Sequence, residues 1–73
     1  MNSPAAAKDC RTVRVFNRAD MDAKLTEAEA QLRHLARQDK DRGILITRHS
    51  PWEFTLELHH RVPFGTTLEI HAW

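Results

Sequence analysis

The chain has 73 residues, a length that accommodates one small domain. Its 11 Lys and Arg face 10 Asp and Glu, and the resulting net charge of +1 is not typical of a strongly electrostatic nucleic-acid binder. A hydrophobic share of 41% and a charged share of 29% indicate a globular rather than a disordered chain. The single cysteine, Cys10, excludes an intrachain disulfide and favours a reducing compartment, so we expect a cytoplasmic location.

The first predicted segment is a flexible tail over residues 1–11, which is rich in alanine and shows no hydrophobic period. It lacks the apolar core of a signal peptide, and no stretch of the chain approaches the length of a membrane span, so no membrane association is expected. The remaining residues, 12–73, are predicted to form the single domain. Residues 12–16 alternate polar with apolar side chains and predict a short first strand.

A helix start is predicted directly after this strand. Asn17 is a preferred N-cap residue, and Asp20 three positions later completes a capping box in which Asp replaces the usual Glu or Gln. Phe16 and Met21 occupy the two positions of a hydrophobic staple. The helix is therefore predicted to begin at Arg18.

The body of the helix shows a regular apolar stripe with spacings of four, three, four and three residues, formed by Met21, Leu25, Ala28, Leu32 and Leu35. Gly43 is suited to a left-handed stop, which predicts that the helix ends near Asp41. A helix of that length is about 35 Å long at 1.5 Å per residue.

Three further strands are predicted after Gly43, at residues 44–49, 52–59 and 67–71. The first two form a hairpin, for which two registers are open. One pairs Leu45 with Leu56, and the other pairs Ile46 with Leu56 and Ile44 with Leu58. The second register is preferred because it places the apolar residues of both strands on one face.

These elements predict an α+β fold of order β-α-β-β-β, with one long amphipathic helix packed on a three- or four-stranded, mostly antiparallel sheet. The helical crossover allows the first strand to lie parallel to the second, either beside it or one strand removed. In the last strand, Leu68 and Ile70 are expected to point inward, and Glu69 and His71 outward.

No residue pattern predicts catalysis or a cofactor. The histidines on the predicted strands have no recognised metal-ligand spacing and no cysteine to assist them, so no metal site is expected. His49, Ser50 and Glu53 lie around a hairpin turn, where Ser-Pro is explained by turn chemistry and a water-excluding pocket is hard to build. We therefore expect a protein that is not an enzyme.

The most favoured function is that of a small protein-interaction or self-associating domain, with a protein partner or a second copy of the chain. The predicted helix is longer than strands of six or seven residues, so one end of its apolar stripe overhangs the sheet unless the loop around Val62 or the last residue covers it. Large apolar side chains left over from the core are the expected contact residues: Trp52, Phe64, Trp73 and, at the helix start, Met21.

The alternative function is nucleic-acid binding through the exposed face of the sheet, with Arg14, Arg48 and Arg61 as phosphate contacts and nearby aromatics for stacking. The order β-α-β-β resembles the opening of the RNA-recognition-motif fold. The aromatic-rich, glycine-containing motif of that family is absent from this sequence. Three glutamates predicted in the same region repel phosphate, which makes this alternative less favoured than a protein partner.

Overall fold

The computed structural model describes residues 9–72 and confirms the α+β fold with the order β-α-β-β-β. Residues 1–8 of the predicted tail, and Trp73, lie outside the described residues. Cys10 and Arg11 were predicted within the tail, but they form the beginning of the first strand. The elements are β1 (Cys10–Arg14), α1 (Arg18–Asp39), β2 (Gly43–Ser50), β3 (Glu53–His59) and β4 (Thr67–His71).

The four strands form one mixed sheet in the order β1-β3-β2-β4. β3 pairs antiparallel with both β1 and β2, whereas β4 pairs parallel with β2. β1 therefore runs parallel to β2 with β3 between them, which confirms the placement one strand removed. β1 and β4 are the two edge strands of the sheet.

The β2–β3 hairpin has the preferred register, with Ile44 opposite Leu58 and Ile46 opposite Leu56. The connection combines a two-residue turn, which pairs Ser50 with Glu53, with a register shift at His49. The extra residue restores the alignment of the apolar faces that a plain two-residue turn would lose, because a slip of one residue exchanges the two faces.

The start of α1 is capped as predicted. Asn17 has extended backbone angles, and its Oδ1 accepts a 2.8 Å hydrogen bond from the Asp20 backbone N–H. Asp20 Oδ2 in turn accepts a 3.0 Å hydrogen bond from the Phe16 N–H. In the usual capping box the donor is the N–H of the N-cap residue itself, which here is Asn17, one residue later. Phe16 remains 82% exposed, so it contributes little of the predicted staple contact with Met21.

The predicted helix end is wrong by two residues. α1 ends at Asp39, and Lys40, not Gly43, takes the left-handed conformation (φ 57°) and donates its N–H to the Ala36 carbonyl at 2.8 Å. Gly43 starts β2 and is required there for a different reason, the close approach of the loop that leads to β4. Among residues 9–72, no helix is both long and apolar enough to cross a membrane.

The core lies between the apolar stripe of α1 and one face of the sheet. Leu32, Phe54 and Leu56 are its most deeply buried side chains, and burial of each contributes about 1.5–3 kcal/mol. The predicted stripe is confirmed, with Ala36 as an additional buried member. Met21 packs against the core and does not overhang it, and Val62 in the loop after β3 is also buried.

β4 departs from the prediction that Leu68 and Ile70 point inward. The register pairs Leu68 with Leu45 and Ile70 with Thr47, residues on the face away from α1, and both apolar side chains are exposed. Glu69 pairs with Ile46 and so lies on the helix-side face. The reason is that α1 packs against β1, β2 and β3 but does not reach β4, so the helix-side face of β4 has no apolar cover.

Candidate interaction surface

The open face of the sheet carries an apolar strip at the β4 edge. The strip consists of Leu45 on β2 and of Leu68 and Ile70 on β4, which the parallel register places side by side. Leu68 is 49% exposed and Ile70 is 43% exposed, whereas Leu45 is half-buried. We call these three residues the β4 strip. Apolar side chains grouped on an unpacked sheet face are typical of a surface that contacts another molecule.

The backbone of β4 also leaves its outer edge unpaired by any strand within residues 9–72. The Ala72 N–H donates to the Arg48 carbonyl of β2 at 2.8 Å, which fixes the direction of alternate peptide groups. Since these groups alternate along a strand, those of Leu68 and Ile70 face β2, and those of Glu69 and His71 face outward. An edge of this kind is a template for the addition of another strand.

The opposite edge of the sheet, β1, is partly protected by cationic side chains. In β1 the Asp9 carbonyl accepts from the Leu58 N–H of β3, so the alternate carbonyls of Cys10, Thr12 and Arg14 face outward. The Arg14 carbonyl accepts a 3.0 Å hydrogen bond from Lys24 Nζ, and the Cys10 carbonyl accepts one of the same length from Arg11 Nη1. Cationic side chains are a common protection of edge strands.

Two polar side chains of β4, Glu69 and His71, lie close together and exposed. Glu69 Oε2 lies 3.6 Å from His71 Nε2, and both side chains are about half exposed. Their contact is an ion pair only when the imidazole is protonated, and a neutral ring can still donate one hydrogen bond to the carboxylate. The edge therefore presents one acidic and one basic side chain, two residues apart on the same face.

The predicted contact residues do not form one surface. Trp52 lies in the β2–β3 turn and lines an open depression of about 450 Å³ together with Phe16, beside the start of α1. Phe64 lies in the loop between β3 and β4, at the other end of the sheet, and Met21 packs against the core. Trp73 falls outside the described residues. Trp52 and Phe64 are both exposed, so each stays a predicted contact residue at a separate place.

The three predicted phosphate contacts are not brought together either. Arg14 is exposed on the open face and pairs with Glu53 at 3.5 Å. Arg48 shares the helix-side face with Phe54, and its guanidinium carbon lies 5.0 Å from the centre of that ring. Arg61 lies in the loop at the far end of β3. These positions give no common surface on which the three guanidinium groups could follow one phosphate backbone.

The polar groups around the hairpin turn satisfy structural roles. His49 Nε2 lies 2.7 Å from Thr55 Oγ1, and Ser50 Oγ accepts a 3.2 Å bond from the Trp52 N–H. His49 therefore contacts Thr55 and is not hydrogen-bonded to Ser50.

Burial and the nearby Glu57 carboxylate raise the pKa of the Cys10 thiol, which lowers its reactivity at neutral pH. Residues 9–72 contain no group of three or more metal-ligating side chains placed to hold an ion.

A small cavity of about 210 Å³ lies between the end of α1 and the loop before β4, lined by Arg33, Arg37, Arg42 and Phe64. Arg42 pairs with Asp9 at 2.7 Å and Arg33 pairs with Glu29 at 4.0 Å, so two of the three guanidinium groups already contact a carboxylate. The volume is below the roughly 300 Å³ at which small-molecule sites begin. This cavity gives weak support for a ligand site.

Comparison with known proteins adds no identification: no family model, no curated protein and no solved structure matches the chain. Sequence reasoning missed the β4 strip because it assigned Leu68 and Ile70 to the core. Alternation along β4 gives no sequence signal for the strip, because it does not say which of the two faces meets the helix.

Proposed function

We propose that the chain is a non-catalytic protein-interaction domain that binds another protein chain through the β4 strip and the adjacent edge of the sheet. The observation that carries this proposal is the exposure of Leu68 and Ile70 on an edge strand that α1 does not cover. A partner that covers these side chains gains about 25 cal/mol for each Å² of apolar surface removed from water. A reducing intracellular compartment is part of the proposal, supported by the presence of a single cysteine.

Two substitutions of matched exposure test the proposal. Leu68 and Trp52 are 49% and 51% exposed, but only Leu68 belongs to the β4 strip. Leu68→Lys places a charge in the strip, and Trp52→Lys places the same charge at the opposite end of the sheet. Neither position contributes to the buried core, so both variants are expected to fold, which circular dichroism would verify.

The measurement is retention of partners by a tagged chain expressed in its native host, with a second copy that carries a different tag. We expect the wild-type chain and Trp52→Lys to retain the same partner, whether a different protein or the second copy, and Leu68→Lys to lose it. Retention unchanged in Leu68→Lys would overturn the proposal. If only the Trp52→Lys variant lost the partner, the interaction would have to be assigned to the turn that carries Trp52 and not to the β4 strip.

A further inference from the structure

The β4 strip alone is too small for a stable interface. Specific interfaces bury about 800 Å² on each partner, which three partly exposed side chains do not supply. Main-chain hydrogen bonds along a sheet edge can supply the remaining affinity, as in recognition by strand addition. Any partner of this surface is therefore expected to engage the outward peptide groups of Glu69 and His71 as well as the strip.

We propose that this partner is a second copy of the chain, whose β4 pairs antiparallel with the first β4 around a two-fold axis through Ile70. The inference rests on the proposed function and specifies its partner. It joins two four-stranded sheets into one continuous sheet of eight strands. Two of the three outward carbonyls of β1 accept hydrogen bonds from Arg11 and Lys24, whereas the exposed apolar strip lies at β4. A contact between the β4 strands of two copies uses the same surface on both, which is the condition for a symmetric interface.

The position of the axis follows from side-chain pairing. With Ile70 opposite its own copy, each Glu69 lies opposite the His71 of the second chain, and each Leu68 lies opposite Ala72. The alternative axis through Glu69 places two carboxylates directly opposite each other, which is destabilising. An axis through Leu68 gives Glu69 only Thr67 as a partner. An imidazole can donate a hydrogen bond to a carboxylate in its protonated and its neutral form, so the pairing of Glu69 with His71 selects the axis through Ile70.

The backbone directions agree with this axis. Glu69 and His71 are the residues whose peptide groups face outward, and in this register they oppose each other as hydrogen-bonded pairs. Ile70 then forms the non-hydrogen-bonded pair, in which Cα atoms approach to about 4.5 Å and side chains are closest. The ladder to β2 continues to Ala72, so the residues needed on the far side of Ile70 are already held in extended form.

The proposal also defines the surface of the dimer. The strips of the two copies meet at the two Ile70 side chains and form one apolar band across the seam on the open face. The Glu69–His71 contacts lie on the helix-side face, since Glu69 shares the face of Ile46. With only five residues of each strand in contact, a dimer that dissociates on dilution is expected, and not a permanent one.

Disulfide trapping tests the register. In a Cys10→Ser background, Ile70→Cys is compared with Leu68→Cys and Glu69→Cys under oxidised glutathione, which accepts the two electrons released when two thiols form the bond. Cα atoms about 4.5 Å apart fall within the range that a disulfide spans. We expect the Ile70→Cys chain to form covalent dimers faster than the other two. Faster trapping in either comparison variant, or equal rates in all three, would overturn the proposal.

Charge exchange on the folded chain supplies a second test that needs no cysteine. Glu69→Lys places two cations opposite the two His71 side chains and is expected to raise the dimer dissociation constant by about tenfold in light scattering. Addition of His71→Glu restores opposite charges and is expected to recover most of that loss. A wild-type chain that is monomeric at every concentration, or a double variant no better than the single one, refutes self-pairing. Such a result does not decide the proposed function, which the Leu68→Lys comparison tests separately.

Discussion

Replacement of Gly43 by alanine is expected to destabilise the fold by about 3–4 kcal/mol. A Cβ at this position would lie 2.6 Å from the Thr66 carbonyl oxygen and 2.6 Å from Val62 Cγ1, and closer still to the Pro63 carbonyl oxygen. Two of these three atoms belong to the backbone and cannot rotate away. Overpacking costs about 1–3 kcal/mol, and the backbone contacts place this site in the upper part of that range, about 2–3 kcal/mol. The loss of a backbone hydrogen bond adds about 1 kcal/mol, which gives about 3–4 kcal/mol in total.

The hydrogen bonds at risk hold the loop that leads into β4. The Gly43 N–H donates to the Val62 carbonyl at 2.6 Å, and the Ile44 N–H donates to the Thr66 carbonyl at 3.0 Å. A domain of this size has a total stability of about 4–11 kcal/mol, so the substitution removes a large part of it. The loop that it displaces also sets the register of β4 against β2.

The second glycine of the chain is the matched control. Gly65 has a φ of +86° and open space where a Cβ would lie, so alanine there costs only the conformational strain, about 1–2 kcal/mol. Urea unfolding followed by circular dichroism measures both free energies. We expect Gly43→Ala to lose at least 1 kcal/mol more than Gly65→Ala. Equal losses, or the reverse order, would refute the close approach of the loop to Gly43.

Further predictions concern the helix, the core and the thiol. Asn17→Ala removes the N-cap and should cost about 1 kcal/mol in urea unfolding. Leu32→Ala should cost about 2–5 kcal/mol, and Leu25→Ala at a half-buried site clearly less; equal costs would contradict the assigned core. The hydrogen bond from the Phe16 N–H lowers the pKa of Asp20 in the folded chain below its ordinary value of 3.8. The ionised carboxylate therefore stabilises the fold above pH 3.8, and this contribution is lost as the pH falls through the folded-state pKa. Asp20→Asn should remove this acid-dependent part of a pH series, and an unchanged pH profile would contradict it. Cys10 should react with a thiol reagent more slowly in the folded than in the urea-unfolded chain, and equal rates would exclude its burial.

The helix and the hairpin could be predicted because local and periodic signals agree there. The Asn17–Asp20 cap uses atoms within four residues of each other, and the apolar stripe follows one face of a long helix. The hairpin register could be chosen because only one alignment places Ile46 and Leu56 on a common face. The actual turn was not predicted, because a bulged residue and a two-residue turn give the same register as a longer loop.

The face of β4 could not be predicted from alternation. A period of two defines two faces but does not say which one meets the helix. Leu68 and Ile70 were assigned to the core on hydrophobicity alone, whereas the position of β4 outside the reach of α1 depends on the order of strands in the sheet. The helix end was misplaced for a similar reason. Lys40 adopts a conformation usually left to glycine, and Gly43 is needed for contacts with residues about twenty positions later.

The candidate surface was therefore only partly accessible from sequence. The sequence predicts an interaction through leftover apolar side chains, but two of the predicted residues, Trp52 and Phe64, lie at opposite ends of the sheet. Exposed apolar residues are recognised only when the core is known, because composition does not distinguish a buried leucine from an exposed one. The unpaired backbone edge has no sequence signature at all, since it depends on which strand lies last in the sheet.

Amide hydrogen exchange along β4, measured over a series of protein concentrations, tests the central claim most directly. The N–H groups of Leu68 and Ile70 face β2 and are expected to be protected at every concentration. The N–H of Glu69 faces outward and is expected to exchange rapidly in dilute solution and to gain protection as the concentration rises. Rapid exchange of the Glu69 amide at every concentration would contradict pairing of β4 with a second copy of the chain.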